Sequence, residues 1–294
     1  MMGLPKIART ALVTGCSTGI GRASAQVLRD RGWTVYPTAR TESDLASLRE
    51  EGFEAVSLDV ADADSVAACV ETVLGHTGGT LGAVVNNAGF GQAGALEDLT
   101  REALERQFAV NVFGLQDLTN RLVPVFREAG AGRIVQVSSV VGRMSLPFLG
   151  AYCASKFAVE AMGDAQRIEL RGSGVGLSII EPGPIITAFR KTCAAATEDA
   201  VDPATSAHGD LYLKELQRRK EGQKKINFIN RPPEAVAAKV VHALESSRPK
   251  RRYCVTIPAY VGAWMRRFAP YALTDAILGK QVESKAGAKD PNTQ

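Results

Sequence analysis

The chain has 294 residues, 45% of them hydrophobic and 22% charged, and its net charge of +4 is too mild, and its basic residues too scattered outside RPKRR (248–252) and KKIN (224–227), for a nucleic-acid binder. Five cysteines (16, 69, 153, 193, 254) without a C-x-x-C pair and three isolated histidines (76, 208, 242) point to free thiols in a reducing, cytoplasmic setting and to no metal cluster. No run reaches the roughly 18 apolar residues of a membrane span, and MMGLPKIAR at the N-terminus lacks a signal peptide's apolar core, so no transmembrane segment is expected.

Along the chain, short apolar runs alternate with amphipathic helical stretches. TALVTG (10–15), WTVYPTA (33–39), EAVSLDV (54–60), GAVVNNAG (82–89), RIVQVSS (133–139) and GVGLSIIEPG (174–183) are apolar on both faces, as strands covered by helices on both sides require. YCVTIP (253–258) is a seventh. The helical patterns between them predict βαβ crossovers and an α/β fold: one Rossmann-like, doubly wound domain over 1–294 with a parallel seven-stranded sheet.

After Gly183 the alternation fails for about fifty residues, longer than an ordinary loop, and about 184–231 reads as a substrate lid carrying one helix over 209–223. The segment 258–280 mixes Trp264, Met265, Phe268 and Tyr271 with Arg266 and Arg267. A peripheral membrane-surface helix is one reading of it; a cover over the pocket or a subunit interface is the favoured one. The polar tail, 283–294, is expected to be disordered.

TGCSTGIGRA (14–23) joins the first strand to the first helix, with Gly15, Gly19 and Gly21 spaced G-x-x-x-G-x-G. Glycine permits the sharp turn and lets a pyrophosphate approach the backbone, while the helix N-terminus offers free N–H groups and partial positive charge. Ser17, Thr18 and Ile20 complete this cofactor loop, the two hydroxyls adding donors. An acid after the second strand would bind the ribose hydroxyls of NAD; here Ala39 and Arg40 stand, and a planar guanidinium suits the 2′-phosphate of NADP. Asp44, one turn on, reads as a helix N-cap rather than a ribose ligand. NADP is therefore expected, with NAD second. In AYCASKFAVEAM (151–162), Tyr152 and Lys156 share a helix face one turn apart.

TGCSTGIG, NNAG (86–89), Asn111 in FAVNVFG, VSS (137–139), YCASK (152–156) and PGPIIT (182–187) occur in this order. With them the chain resembles the short-chain dehydrogenase/reductase family from about residue 8 to 260, in wording closest to estradiol-type hydroxysteroid dehydrogenases, retinol dehydrogenases and their bacterial relatives. The resemblance implies an oxidoreductase moving a hydride between nicotinamide and a carbonyl or alcohol. Tyr152 would be its general acid or base, Lys156 would lower the phenol and hold the nicotinamide ribose, Ser139 would polarise the carbonyl, and Asn111 would anchor a relay water.

The resemblance also places Asp59 and Val60 at adenine, and Asn87, Ala88 and Gly89 at the adenosine ribose, with Asn86 supporting the strands. Pro182, Gly183, Ile185 and Thr187 would cradle nicotinamide. The substrate would lie among 90–96, 144–149 and the lid, whose Phe90, Leu96, Met144, Leu146, Phe148, Leu149 and Phe189 favour a lipophilic molecule despite nearby Arg143 and Arg190. Family members assemble as dimers or tetramers through the helix of Tyr152 and that of about 101–128. A redox-inactive NADP-binding sensor is the alternative, which the intact Asn–Ser–Tyr–Lys set disfavours.

Overall fold

The computed structural model of the chain describes residues 3–214 and 229–286. All seven apolar runs are strands: β1 (Thr10–Val13), β2 (Thr34–Ala39), β3 (Val56–Ser57), β4 (Ala83–Asn86), β5 (Gly132–Val137), β6 (Val175–Glu181) and β7 (Arg252–Cys254). They pair in parallel in the order β3-β2-β1-β4-β5-β6-β7. Side chains on a strand alternate between faces, so each strand feeds two cores. Ala11, Val13, Val85 and Val135 pack into one, while Leu12, Val84, Ile134 and Ile179 pack into the other.

The helices are α1 (Gly19–Asp30), α2 (Glu42–Glu50), α3 (Ala63–His76), α4 (Arg101–Phe108), α5 (Leu115–Glu128), α6 (Gly150–Glu169), α7 (Phe189–Ala200), α8 (Glu234–Glu245), α9 (Ile257–Phe268) and α10 (Tyr271–Ala286). Leu28 of α1 and Val236, Val240 and Leu244 of α8 cover the first core; Val66 and Val73 of α3 and Leu118, Leu122 and Phe126 of α5 cover the second. A π-helical turn, Ala109–Gly114, joins α4 to α5 without a break. Such a turn inserts a residue into the helix and often marks a functional position; Asn111 sits inside it.

The insertion after β6 is closed at its base. Ile185 bridges Arg231 in parallel, and the Ile186 N–H donates to the Arg231 carbonyl at 2.9 Å. Within it α7 is a twelve-residue helix where the sequence predicts none. The helix expected over 209–223 is present from 209 to 214; the remainder lies outside the described residues. The Tyr212 hydroxyl donates to Asp98 Oδ2 at 2.6 Å and accepts from the Ala95 N–H at 2.6 Å, Ser206 Oγ donates to the same carboxylate at 2.7 Å, and His208 Nε2 meets Glu97 Oε1 at 2.8 Å. These bonds fasten 206–212 to the short 3₁₀ turn Leu96–Asp98.

Two C-terminal expectations change. Helix α9 lays its small residues, Ala259 and Gly262, against the chain; a Cβ at Gly262 would lie 2.8 Å from Val140 Cγ2, and only small residues allow that approach. Its aromatic face stays exposed instead of covering the pocket. The expected disordered tail begins in part as helix, since α10 continues through Ala286, and 287–294 lie outside the described residues. No described helix is long and apolar enough to cross a membrane.

Candidate active site

A cleft of about 940 Å³ runs along the carboxyl ends of the strands, across the junction of β1 and β4, where the strand order reverses. Gly15, Ser17, Thr18, Gly19, Ile20, Arg40, Asp59, Val60, Asn87, Ala88, Gly89, Ser139, Tyr152, Lys156, Pro182, Gly183, Ile185 and Thr187 all line it. Gly21 and Asn111, also expected at the site, stand behind its wall.

At one end, Gly15 takes φ +70°, open to glycine, with the Ala88 backbone so near that a Cβ would lie 2.8 Å from its Cα. Gly21 supports this loop from within α1, where a Cβ would come 2.2 Å from the Gly15 carbonyl oxygen. The first turn of α1 carries no acid, so its N–H groups face the cleft uncompensated. Asn87, expected at the adenosine ribose, spends its amide on the loop, donating to the Thr14 and Gly15 carbonyls at 2.9 and 3.1 Å. Thr14 Oγ1 in turn accepts from the N–H groups of Asn87 and Ala88 at 3.0 and 2.9 Å. Asn86 donates to Thr119 Oγ1 at 2.9 Å between strand and helix, the structural place expected for it.

Arg40 is exposed on the cleft wall beyond β2. The cap of α2 is Thr41 rather than Asp44: Thr41 Oγ1 accepts from the Asp44 N–H at 3.2 Å and donates to Asp44 Oδ2 at 2.7 Å, a reciprocal box that ties the acid to its own helix. Asp59 Oδ1 accepts from the Ala61 N–H at 3.0 Å.

At the other end, α6 presents Tyr152 and Lys156 to the cleft beside Ser139. The Lys156 ammonium lies 5.9 Å from the Tyr152 ring centroid and donates to the Val137 carbonyl at 2.9 Å. Ser139 Oγ accepts from the Val141 N–H at 3.3 Å, at the start of a 3₁₀ turn, Val140–Gly142. Behind them Asn111 clamps Phe90, its amide donating to the Phe90 carbonyl at 2.9 Å and its Oδ1 accepting from the Phe90 N–H at 3.1 Å, and its amide also reaches Ser155 Oγ at 3.1 Å. A Cβ at Gly89 would lie 2.9 Å from Asn111 Oδ1 and 3.8 Å from Lys156 Nζ, so this glycine keeps the two within reach of the wall. The small residues after Tyr152 are used inside the chain: Cys153 and Ser155 are buried, and Ala154 alone of the three is exposed.

The short chain dehydrogenase profile matches residues 9–198. The chain belongs to the short-chain dehydrogenase family. It is 39% identical over 272 residues to an uncharacterized oxidoreductase, YbbO, of Escherichia coli K12, covering 92% of this chain and 94% of that one. It is 35% identical over 263 residues to human 17-beta-hydroxysteroid dehydrogenase type 1, covering 85% and 78%. Among solved structures it resembles a short-chain dehydrogenase/reductase from Burkholderia phymatum in complex with NAD, at TM-score 0.72 and 26% identity over the whole of both chains.

This short-chain dehydrogenase is thus an oxidoreductase with a nicotinamide dinucleotide cofactor, and its cleft fits that group. The cradle of Gly15 and Gly19 has no side chain to obstruct it, and Thr187 closes on it, its Cγ2 being 3.0 Å from where a Cβ of Gly19 would be. The ionisation of the tyrosine differs from the expectation. Burial raises the Tyr152 phenol well above its ordinary value, and a hydrogen bond from Ser139 offsets only part of that. Burial also lowers the Lys156 ammonium to about 8, because it is dehydrated without a carboxylate beside it. The protein's own groups therefore keep the proton on Tyr152 near neutrality.

Of the apolar residues expected around the substrate, Phe90, Leu146, Phe148, Leu149 and Phe189 line the cleft, and Val141, which the sequence does not single out, joins them. Phe189 of α7 packs on Tyr152 with ring centroids 5.4 Å apart, and Val141, Leu146 and Leu149 complete an apolar collar. Phe148 is the one described non-glycine residue at positive φ, +60°, and its ring stands edge-on to His208 at 5.2 Å and Tyr212 at 6.0 Å. Leu96 and Met144, expected at the substrate, do not line the cleft. Arg143 is drawn away by buried Glu181, which accepts from its Nε at 3.1 Å and from Arg252 Nη1 at 2.7 Å. Arg106 lines the cleft but is paired to Asp199 at 3.0 Å.

Proposed function

We propose that this dehydrogenase is an NADP(H)-linked carbonyl reductase acting on a lipophilic ketone or aldehyde, and on the corresponding alcohol in reverse. The observation that carries this reading is the convergence of Ser139, Tyr152 and Lys156 inside an apolar collar at one end of a cleft whose other end is the glycine cradle.

NADPH, when bound, supplies the hydride. Ser139 donates a hydrogen bond to the substrate oxygen as negative charge develops there. Tyr152 gives that oxygen its proton, and the raised phenol is stocked for this role near neutral pH. Lys156 holds the nicotinamide ribose and, as a cation beside the ring, favours the phenolate that proton transfer leaves behind. Asn111 fixes Phe90 and Ser155 around Lys156 and, with a water, completes the proton path.

The cofactor preference rests on Arg40, which no described side chain holds in an ion pair and which follows Ala39 where an acid would select NAD. The substrate class rests on Phe148, Leu149 and Phe189, and on the pairing of Arg106 with Asp199, which leaves that guanidinium uncommitted to a substrate carboxylate. The insertion of about 184–231 acts as the lid, in one domain with the sheet. Subunits pair through the long helix of about 101–128 and α6, where Phe113 of the π-helical turn and Ile168 of α6 stand exposed.

The test is NADPH and NADH consumption with a panel of aliphatic, aromatic and steroidal ketones and aldehydes. Turnover with NADPH favoured over NADH supports the reading; binding of NADPH without turnover of any carbonyl or alcohol contradicts it.

A further inference from the structure

Helix α9 buries its small residues and leaves its large ones outside. Ile257, Tyr260, Val261, Trp264 and Phe268 are all exposed, and their spacing of 3, 4, 7 and 11 residues from Ile257 sets them on one helical stripe. Tyr260, Trp264 and Phe268 are 61–62% exposed, and the Trp264 and Phe268 rings lie 5.8 Å apart. Tyr271, Leu273 and Ile277 of α10 continue the exposed apolar surface directly along the chain. A face of this size is larger than the scattered apolar residues a monomer ordinarily exposes.

We infer that this face docks on the surface of a lipid bilayer carrying anionic headgroups. Its composition is that of an interfacial helix: Trp and Tyr bring an apolar body with a polar edge, and Ile, Val and Phe reach the acyl boundary. The charge is complementary as well. Helix α9 has two arginines, Arg266 and Arg267, and no acid; the Arg267 guanidinium lies 5.6 Å from the Phe268 ring centroid, at the border of the stripe. The whole chain is at +4, so it is drawn to a negative surface before the stripe makes contact. Against a second copy, a two-fold contact of α9 on itself would oppose like charges with no acid on the helix to answer them.

The face also borders the cleft. Gly262 packs on Val140 and Met144, and Val140 lines the cleft wall. Docking would set the mouth of the site at the bilayer surface, where lipophilic molecules partition. That last consequence rests on the proposed substrate class; the docking does not, so loss of either leaves the other standing.

The measurement is flotation of the full chain with vesicles of phosphatidylcholine containing about one-third phosphatidylglycerol, against pure phosphatidylcholine. The chain has two tryptophans, of which Trp33 is buried and Trp264 exposed. Brominated phosphatidylcholine in the vesicles therefore reads insertion of Trp264 in the unaltered protein. Expected are flotation that is stronger on the anionic vesicles, quenching of Trp264 emission, and a loss of about tenfold or more in the bound fraction for Trp264→Glu combined with Phe268→Glu. No flotation on either vesicle overturns the inference, as does flotation with Trp264 unquenched. Sedimentation showing a dimer that the double substitution splits, without vesicle binding, assigns the face to a second copy and overturns it too.

Discussion

Lys156→Met should make the protein more stable at neutral pH while abolishing turnover. The ammonium is buried on the Val137 carbonyl, and burial lowers it from 10.5 to about 8. Between those values the unfolded chain binds the proton and the folded chain does not, so stability rises with pH across that window and the full penalty is present below it. A gap of 10.5 − 8, about 2.5 units, corresponds to about 3 kcal/mol. Methionine keeps most of the stem but leaves the Val137 carbonyl without this donor, a loss of about 1 kcal/mol. The net expectation is about 2 kcal/mol in favour of Lys156→Met near pH 7, shrinking by about 2 kcal/mol by pH 9.5. Urea unfolding of both proteins without added cofactor, followed by far-UV circular dichroism at the two pH values, measures this directly. A variant less stable than the parent at neutral pH, or two curves that run parallel with pH, would refute the claim that Lys156 is held charged against its burial.

Three further outcomes are expected. Arg40→Asp should move the ratio of kcat/KM for NADPH over NADH by about tenfold or more toward NADH, through loss of a charged hydrogen bond to phosphate; an unchanged ratio makes Arg40 a surface residue only. Gly21→Ala places a methyl where the Gly15 carbonyl stands, so the loop must shift; a loss of about 2 kcal/mol in stability and weaker NADPH binding by fluorescence titration are expected, and a parent-like affinity contradicts the supporting role. Tyr212→Phe removes the hydroxyl that joins Ala95 to Asp98 and should speed amide hydrogen exchange in 201–214 by about tenfold while strands β4 and β5 keep their protection; unchanged exchange in that segment would show the fastening to lie elsewhere.

The sheet was readable because its strands are buried on both faces, so Leu12 and Val13 had to be apolar for opposite reasons and left an unbroken signal. The glycine cradle and the Tyr152–Lys156 pair were readable because their spacing along the chain is their spacing in space. Helix α7 was not: its buried side is Cys193, Ala194 and Thr197, too small and polar to show an apolar period. The resemblance puts Asn87 at the adenosine ribose, and it does line the cleft; that its amide also ties the loop to Thr14 and Gly15 shows only in the folded chain. The removal of Arg143 from the substrate side by Glu181, and the pairing of Arg106 with Asp199, join residues far apart in the chain. The exposed stripe of α9 was visible as a pattern, but which of its faces the protein covers depends on how closely Gly262 approaches Val140.

The most direct measurement of the catalytic assignment compares the parent protein with Tyr152→Phe in NADPH oxidation by a lipophilic ketone, alongside NADPH binding. The phenyl ring keeps the contact with Phe189 and removes only the proton donor. Turnover should fall by about 10²–10⁴-fold with NADPH affinity held within about twofold. A Tyr152→Phe protein that still turns over at a rate near the parent's would mean that the proton comes from another group.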